Sequence, residues 1–260
     1  WNDLIGFKTT AGKLSLDGVV PLCSRFDTVG PLTTSVEDAA RLFGIMAGEK
    51  IELPAPKPVK GLTFAILNNV AMENVTDLPK KAFQTSIDKL DKAGARISEI
   101  SVSSVDEAMD LTGFLYSPEA YATWKHKIEK SPDLMFAKIL ERFRSGANVL
   151  ASDFIHAWDK LVDLRQQYHS EVEAFDAILI PTSPIIPPEI GRLMNDGDFY
   201  NSQNLLALRN TRIGNLMGGC SITLPTDTPS CGLLIMGRPN EEARLLRLAQ
   251  ACELVLARNR

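Results

Sequence analysis

Apolar residues recur at Val36, Ala39, Ala40, Phe43 and Met46, the spacing of one helix face. Ser35 stands just ahead of them: its hydroxyl can accept from the Asp38 amide while the Asp38 carboxylate reaches back, and Gly48 offers a left-handed stop. Residues 53–60 read Leu-Pro-Ala-Pro-Lys-Pro-Val-Lys, and three missing backbone donors make this a surface connector. The short apolar run at 61–67 suits a strand buried on both faces. A helix over about 78–92, a Gly94 stop and a second run at 95–102 complete a βαβ-like unit.

Residues 105–175 read as mostly helical. In the last of these helices Ser152 is a good N-cap, and Phe154, Trp158, Leu161, Tyr168 and Val172 fall within a narrow arc. Arg165 lies inside that arc. A guanidinium among apolar neighbours must pair with a carboxylate, face a substrate or run its stem to solvent. Three more strands are expected at Ala177–Pro181, Ser221–Pro225 and Gly232–Met236, with a helix near 201–215 between the first two. After Gly237, Pro239 fits a first helical turn and Glu241 and Glu242 complement the helix dipole. Leu245, Leu246, Ala249 and Cys252 form that helix's buried side. No internal repeat or long linker appears, so the chain reads as one α/β unit.

Composition narrows the function classes. With 260 residues, 45% of them hydrophobic, the chain can bury a sizeable core. A formal charge of −4, from 28 basic and 32 acidic residues mixed throughout, leaves no basic stripe for a phosphate backbone, so nucleic acid is not expected as a ligand. Apolar runs such as 177–180 are far shorter than the roughly 20 residues of a membrane helix, and no targeting segment is visible. Cys23, Cys220, Cys231 and Cys252 show neither CxxC nor zinc spacing, which predicts buried free thiols in a reducing cytoplasm, with no metal and no cofactor.

Candidate chemistry is sparse. There is no GxSxG elbow, and His126, His156 and His169 are poorly placed for a triad. Cys220, after Gly218-Gly219, could sit beside an oxyanion-type amide pair, but its place before a strand favours packing or pocket lining. Lys8, with Ser15 and Ser24 nearby, could in principle activate a hydroxyl; a structural or surface role is the expectation.

Two stretches carry a resemblance. The first runs Gly6-Phe7-Lys8-Thr9, then Gly18-Val19-Val20-Pro21-Leu22, Asp27-Thr28-Val29-Gly30-Pro31 and Ser35-Val36-Glu37-Asp38-Ala39-Ala40. The second joins Phe175-Asp176-Ala177-Ile178-Leu179-Ile180-Pro181-Thr182 to Gly232-Leu233-Leu234-Ile235-Met236-Gly237-Arg238-Pro239, Glu242 and Leu245-Leu246. In order and spacing these blocks resemble the amidase signature family from Trp1 to about Ala257. The resemblance implies an incomplete amidase signature fold: a mixed, largely buried central β-sheet flanked by helices, with a helical insertion at about 105–175, residues 1–260 forming the C-terminal portion of a single domain.

It also implies a Ser-Ser-Lys mechanism, in which a neutral lysine acts through a bridging serine held by a cis peptide bond, and a second serine attacks the amide carbonyl to give an acyl-enzyme. In the family those groups precede the Gly-Phe-Lys block, so the chain is expected to hold no catalytic residue of its own. It would be inactive alone and would partner the segment ahead of Trp1, or itself as a homo-oligomer, through exposed sheet edges. Asp27 and Arg165 are expected to support the active site. Thr182 and Ser183, beyond a strand C-terminus, together with Asn215 and Cys220, are expected to contact a small-molecule amide substrate. Thr34 stands where the family usually has arginine. Two alternatives stay open: an A-type amidotransferase component that releases ammonia from an amide donor, and a non-catalytic binding fragment.

Overall fold

A computed structural model describes residues 1–53 and 55–256; Pro54 of the connector and Ala257, where the family-like blocks end, lie outside the described residues. In chain order the elements are β1 (Ile5–Lys8), β2 (Leu32–Thr33), α1 (Val36–Ala47), β3 (Thr63–Leu67), α2 (Asp77–Lys92), β4 (Arg96–Ile100), α3 (Ser103–Asp110) and α4 (Thr112–Ile128). There follow α5 (Ala137–Arg144), α6 (Ala151–Glu171), β5 (Ala177–Pro181), α7 (Ile190–Asn195), α8 (Gly197–Leu216), β6 (Ser221–Pro225), β7 (Gly232–Met236) and α9 (Glu242–Leu256).

Among the described residues the strands form one sheet in the order β2-β1-β6-β7-β5-β3-β4. Strands β5, β3 and β4 are parallel, as the βαβ reading requires, whereas β7 is antiparallel to both β5 and β6, and β1 is antiparallel to β6 and β2. The sheet is therefore mixed.

Alternation along each strand divides the core between its two faces. Phe64, Ile66, Leu179, Ile222 and Ile235 join Val36, Phe43, Phe83, Leu90, Leu245 and Leu246 beneath α1, α2 and α9. Ala65, Leu67, Ile178, Ile180, Leu234 and Met236 face Val105, Leu115, Leu161, Leu164, Ile213 and Leu216 on α3, α4, α6 and α8. Helices on both faces explain why β5 is buried at every position and reads as a continuous apolar run.

Local signals meet the structure unevenly. Ser35 caps α1, accepting from the Asp38 amide at 3.1 Å, but its hydroxyl donates to the Asp38 carboxylate at 2.8 Å, so that carboxylate meets the hydroxyl rather than a backbone N–H. Gly48 closes α1 at φ 66°. Ser152 is not a cap: α6 begins at Ala151 behind Leu150, with no side-chain cap bond. Helix α8 starts earlier than the apolar pattern indicated because Asp196 accepts from the Phe199 amide at 2.9 Å. Pro239 precedes α9 in a turn where Asn240 has φ 62°, and the helix proper starts at Glu242. The strand β1 gives no signal in the sequence because its four residues are too few to show a period.

Candidate functional site

Strand register separates the expected substrate contacts into two groups. Ser221 and Ile178 both lie opposite Met236, whereas Pro181 lies opposite Leu233 and the Thr182 amide donates to Gly232 O at 2.9 Å. Cys220 and Asn215 thus sit at one end of the sheet and Thr182 and Ser183 at the other. Thr182 is level with Gly232 and Cys220 with Gly237, so four residues of strand intervene, roughly 17 Å at the usual rise. A single small substrate cannot touch all four.

At the Thr182 end the polar groups satisfy one another. The Thr182 and Thr223 hydroxyls are hydrogen-bonded, and the Ser183 hydroxyl donates to Ile185 O at 2.9 Å. Buried Asn210 donates to Pro181 O and Ala71 O at 2.7 and 3.0 Å, and Arg209 donates to Ala71 O and Glu73 O. Such a network fixes a loop and leaves little free for a ligand.

The Cys220 end is different. Lys8, opposite Ser221 in β1, turns its ammonium inward, donating to Thr9 O and Gly219 O, each at 2.9 Å. It is not a surface residue. Burial is the main cause lowering its pKa to about 8, and the Arg165 charge lowers it further against the opposing pull of Cys220 and Glu242. Cys220 is 1% exposed, its thiol donates to Arg238 O at 3.1 Å, and burial pushes its pKa up to about 12. That environment suits packing and opposes thiolate chemistry.

Backbone geometry explains the two glycines before it. Gly218 has φ 73°, and a Cβ on Gly219 would lie 2.3 Å from Gly237 O, so the loop can approach β7 only without side chains.

Among the described residues Arg165 pairs with no carboxylate. Its guanidinium instead donates to Leu216 O at 2.6 Å and Asn215 O at 3.1 Å, capping the C-terminus of α8, and lies 5.9 Å from the ring centroids of both Phe26 and Trp158. Carbonyl oxygens and ring faces thus take the place of the expected carboxylate. Phe26 is stacked between Tyr116 and Trp158, with centroids 4.4 and 4.8 Å apart. Asp27 sets this ring by accepting from the Leu22 and Cys23 amides at 2.8 and 3.0 Å, which closes the turn carrying Phe26.

Sequence reasoning named Arg165, Asn215, Cys220 and Asp27 here but missed the roles of Phe26, Tyr116 and Arg212. Arg212 precedes Asn215 by one helical turn on α8, a spacing that could have suggested a shared face. Among the described residues no group of His, Cys, Asp or Glu is placed to hold a metal ion, and no helix is long and apolar enough to cross a membrane. Nor does any serine, threonine or cysteine among them hydrogen-bond to a lysine or histidine side chain: Lys8 and His169 meet only backbone carbonyls.

Known proteins supply the wider frame. The chain is 30% identical over 264 residues to a 2-amino-5-chloromuconic acid deaminase of Comamonas testosteroni, covering 97% of this chain and 56% of the relative. It is 28% identical over 298 residues to the A-type component of a glutamyl-tRNA(Gln) amidotransferase of Acidobacterium capsulatum, covering 96% and 60%. A crystal structure of an amidase superposes with a TM-score of 0.82 at 24% identity, over 98% of this chain and 59% of that one, a likeness of fold. The chain therefore spans somewhat over half the length of each of these proteins. Residues 1–246 match the family described as Amidase, and to that family the chain belongs.

Proposed function

We propose that this chain is the C-terminal portion, including the helical stretch at about 105–175, of a single-domain amide hydrolase. It would cleave a carboxamide C–N bond through a Ser-cisSer-Lys acyl-enzyme mechanism whose nucleophile, bridging serine and base lie outside residues 1–260. One observation carries this reading: the family match runs over residues 1–246, yet no described hydroxyl or thiol is hydrogen-bonded to a lysine or histidine side chain that could activate it.

The chain's part in that reaction is to wall the pocket. Lys8 and the Gly218-Gly219 turn hold β1 against β6 and β7, while the Phe26 stack and Arg165 form the inner surface facing α8. Asn215 and Cys220 line this end, and Thr182 and Ser183 brace the far end of the sheet. The remaining segment of the protein is the expected partner, with exposed Val19, Val20, Leu22 and Leu32 offered to it or to a second copy.

The amidotransferase reading is favoured by one observation, the similarity to the amidotransferase component from Acidobacterium capsulatum. Both readings share the acyl-enzyme step and differ in where the released ammonia goes.

The test is ammonia release from a panel of primary amides. Purified residues 1–260 are expected to give none above background, while the longer protein turns over; release by residues 1–260 alone would refute the assignment. Coupling to an acceptor amidation only with a partner protein present would favour the amidotransferase.

A further inference from the structure

Around the Phe26 stack several hydrogen-bond donors are buried without acceptors. Trp158 Nε1 and the Tyr116 hydroxyl make no hydrogen bond of ordinary geometry, although Asn215 lies beside that hydroxyl. Arg212, half-buried on α8, forms neither an ion pair nor a hydrogen bond among the described residues, and Arg165 donates only to the carbonyls at the end of α8 besides lying against the Phe26 and Trp158 rings. Arg165 lies 5.9 Å from the Phe26 and Trp158 ring centroids, and Arg212 stands one helical turn before Asn215 on α8; the charges of both bear on the Tyr116 hydroxyl. Arg142 adds positive charge near Arg212, although its own guanidinium is held by Asn204 Oδ1 at 2.6 Å. The buried carboxylate of α4, Glu119, is already engaged by the Arg25 amide and guanidinium at 3.1 and 3.2 Å.

Apart from Glu119 Oε2, which is ion-paired with Arg25 but makes no hydrogen bond, every unmatched group here can donate, and an indole N–H or a guanidinium can do nothing else. Buried cations without a counter-charge are costly, and removing them from water strengthens their attraction to any anion that enters. We propose that Tyr116, Trp158, Arg165 and Arg212 form a recognition site for a carboxylate, and that the amide this protein acts on carries one. This rests on the preceding reading of the Cys220 end as the active-site end, and it adds a substrate class: anionic amides rather than neutral ones. The carboxylate would take the Arg212 fork and the Tyr116 and Trp158 donors. The Arg165 cap on α8 would hold the helix that presents Arg212.

The probes are maleamate, a monoamide with one carboxylate, and maleamide, the neutral diamide of the same shape. Calorimetric titration of residues 1–260 should show maleamate binding at least ten-fold more tightly, with a preference that weakens in high salt. R212Q should abolish the preference without lowering the melting temperature, since Arg212 makes no hydrogen bond to lose; Y116F should reduce it. Equal affinities for the two probes, or a preference unchanged in both variants, would overturn the proposal. The two readings fail separately. Preferential maleamate binding in a protein whose longer form hydrolyses no amide removes the hydrolase and leaves the site, whereas efficient hydrolysis of neutral amides with no gain from a carboxylate removes the site and leaves the hydrolase.

Discussion

Lys8 concentrates the physical problem of this molecule in one residue. A charged ammonium is drawn into the end of a sheet because two carbonyls there accept its protons, yet burial and Arg165 work against its charge and lower its pKa to about 8. In the unfolded chain the same group titrates near 10.5. Between those values the unfolded state binds the extra proton, so this residue makes stability rise with pH across that window. Buried Cys220 and Cys252, whose thiols are pushed up to about 12, act oppositely above about pH 9. The stability difference between wild type and Lys8→Met, measured by urea unfolding at successive pH values, should therefore grow in favour of wild type from pH 8 towards 10.5. A difference that is flat over that range would mean that Lys8 keeps its charge in the folded protein.

At the scale of elements, helix α1 shows how much a short segment encodes. Its cap, its buried face and its glycine stop are all written within fourteen consecutive residues, Ser35 to Gly48. Ser35→Ala removes the hydroxyl that satisfies the Asp38 amide and should lower stability by about 1 kcal/mol in chemical denaturation; an unchanged midpoint would show that water replaces the cap without loss. The parallel β3-α2-β4 unit and the strands β5, β6 and β7 were legible for the same reason: their apolar runs and glycine stops are local. The start of α8 was not, because Asp196 caps it ahead of any apolar period. Arg165 was visible as an anomaly within an apolar arc, but its partners are backbone carbonyls at Asn215 and Leu216, far along the chain, and no spacing announces them. Thr182 and Cys220 were grouped with one substrate because each flanks a strand. Only the register shows that they flank opposite ends.

For the whole molecule, the sheet and its two helical layers form the scaffold that the Amidase family match covers. Towards the Cys220 end of the sheet it gathers positive charge at Lys8, Arg165 and Arg212 while the chain as a whole carries −4. Local field rather than net charge governs what a pocket accepts. The placement of the nucleophile is tested most directly with an alkyl fluorophosphonate, which forms a stable adduct on an activated serine. Intact-mass measurement and peptide mapping would be applied to residues 1–260 and to the longer protein in parallel. The expected result is no mass gain on residues 1–260 and a single adduct on a serine outside them in the longer protein. An adduct on any serine, threonine or cysteine within residues 1–260 would contradict it.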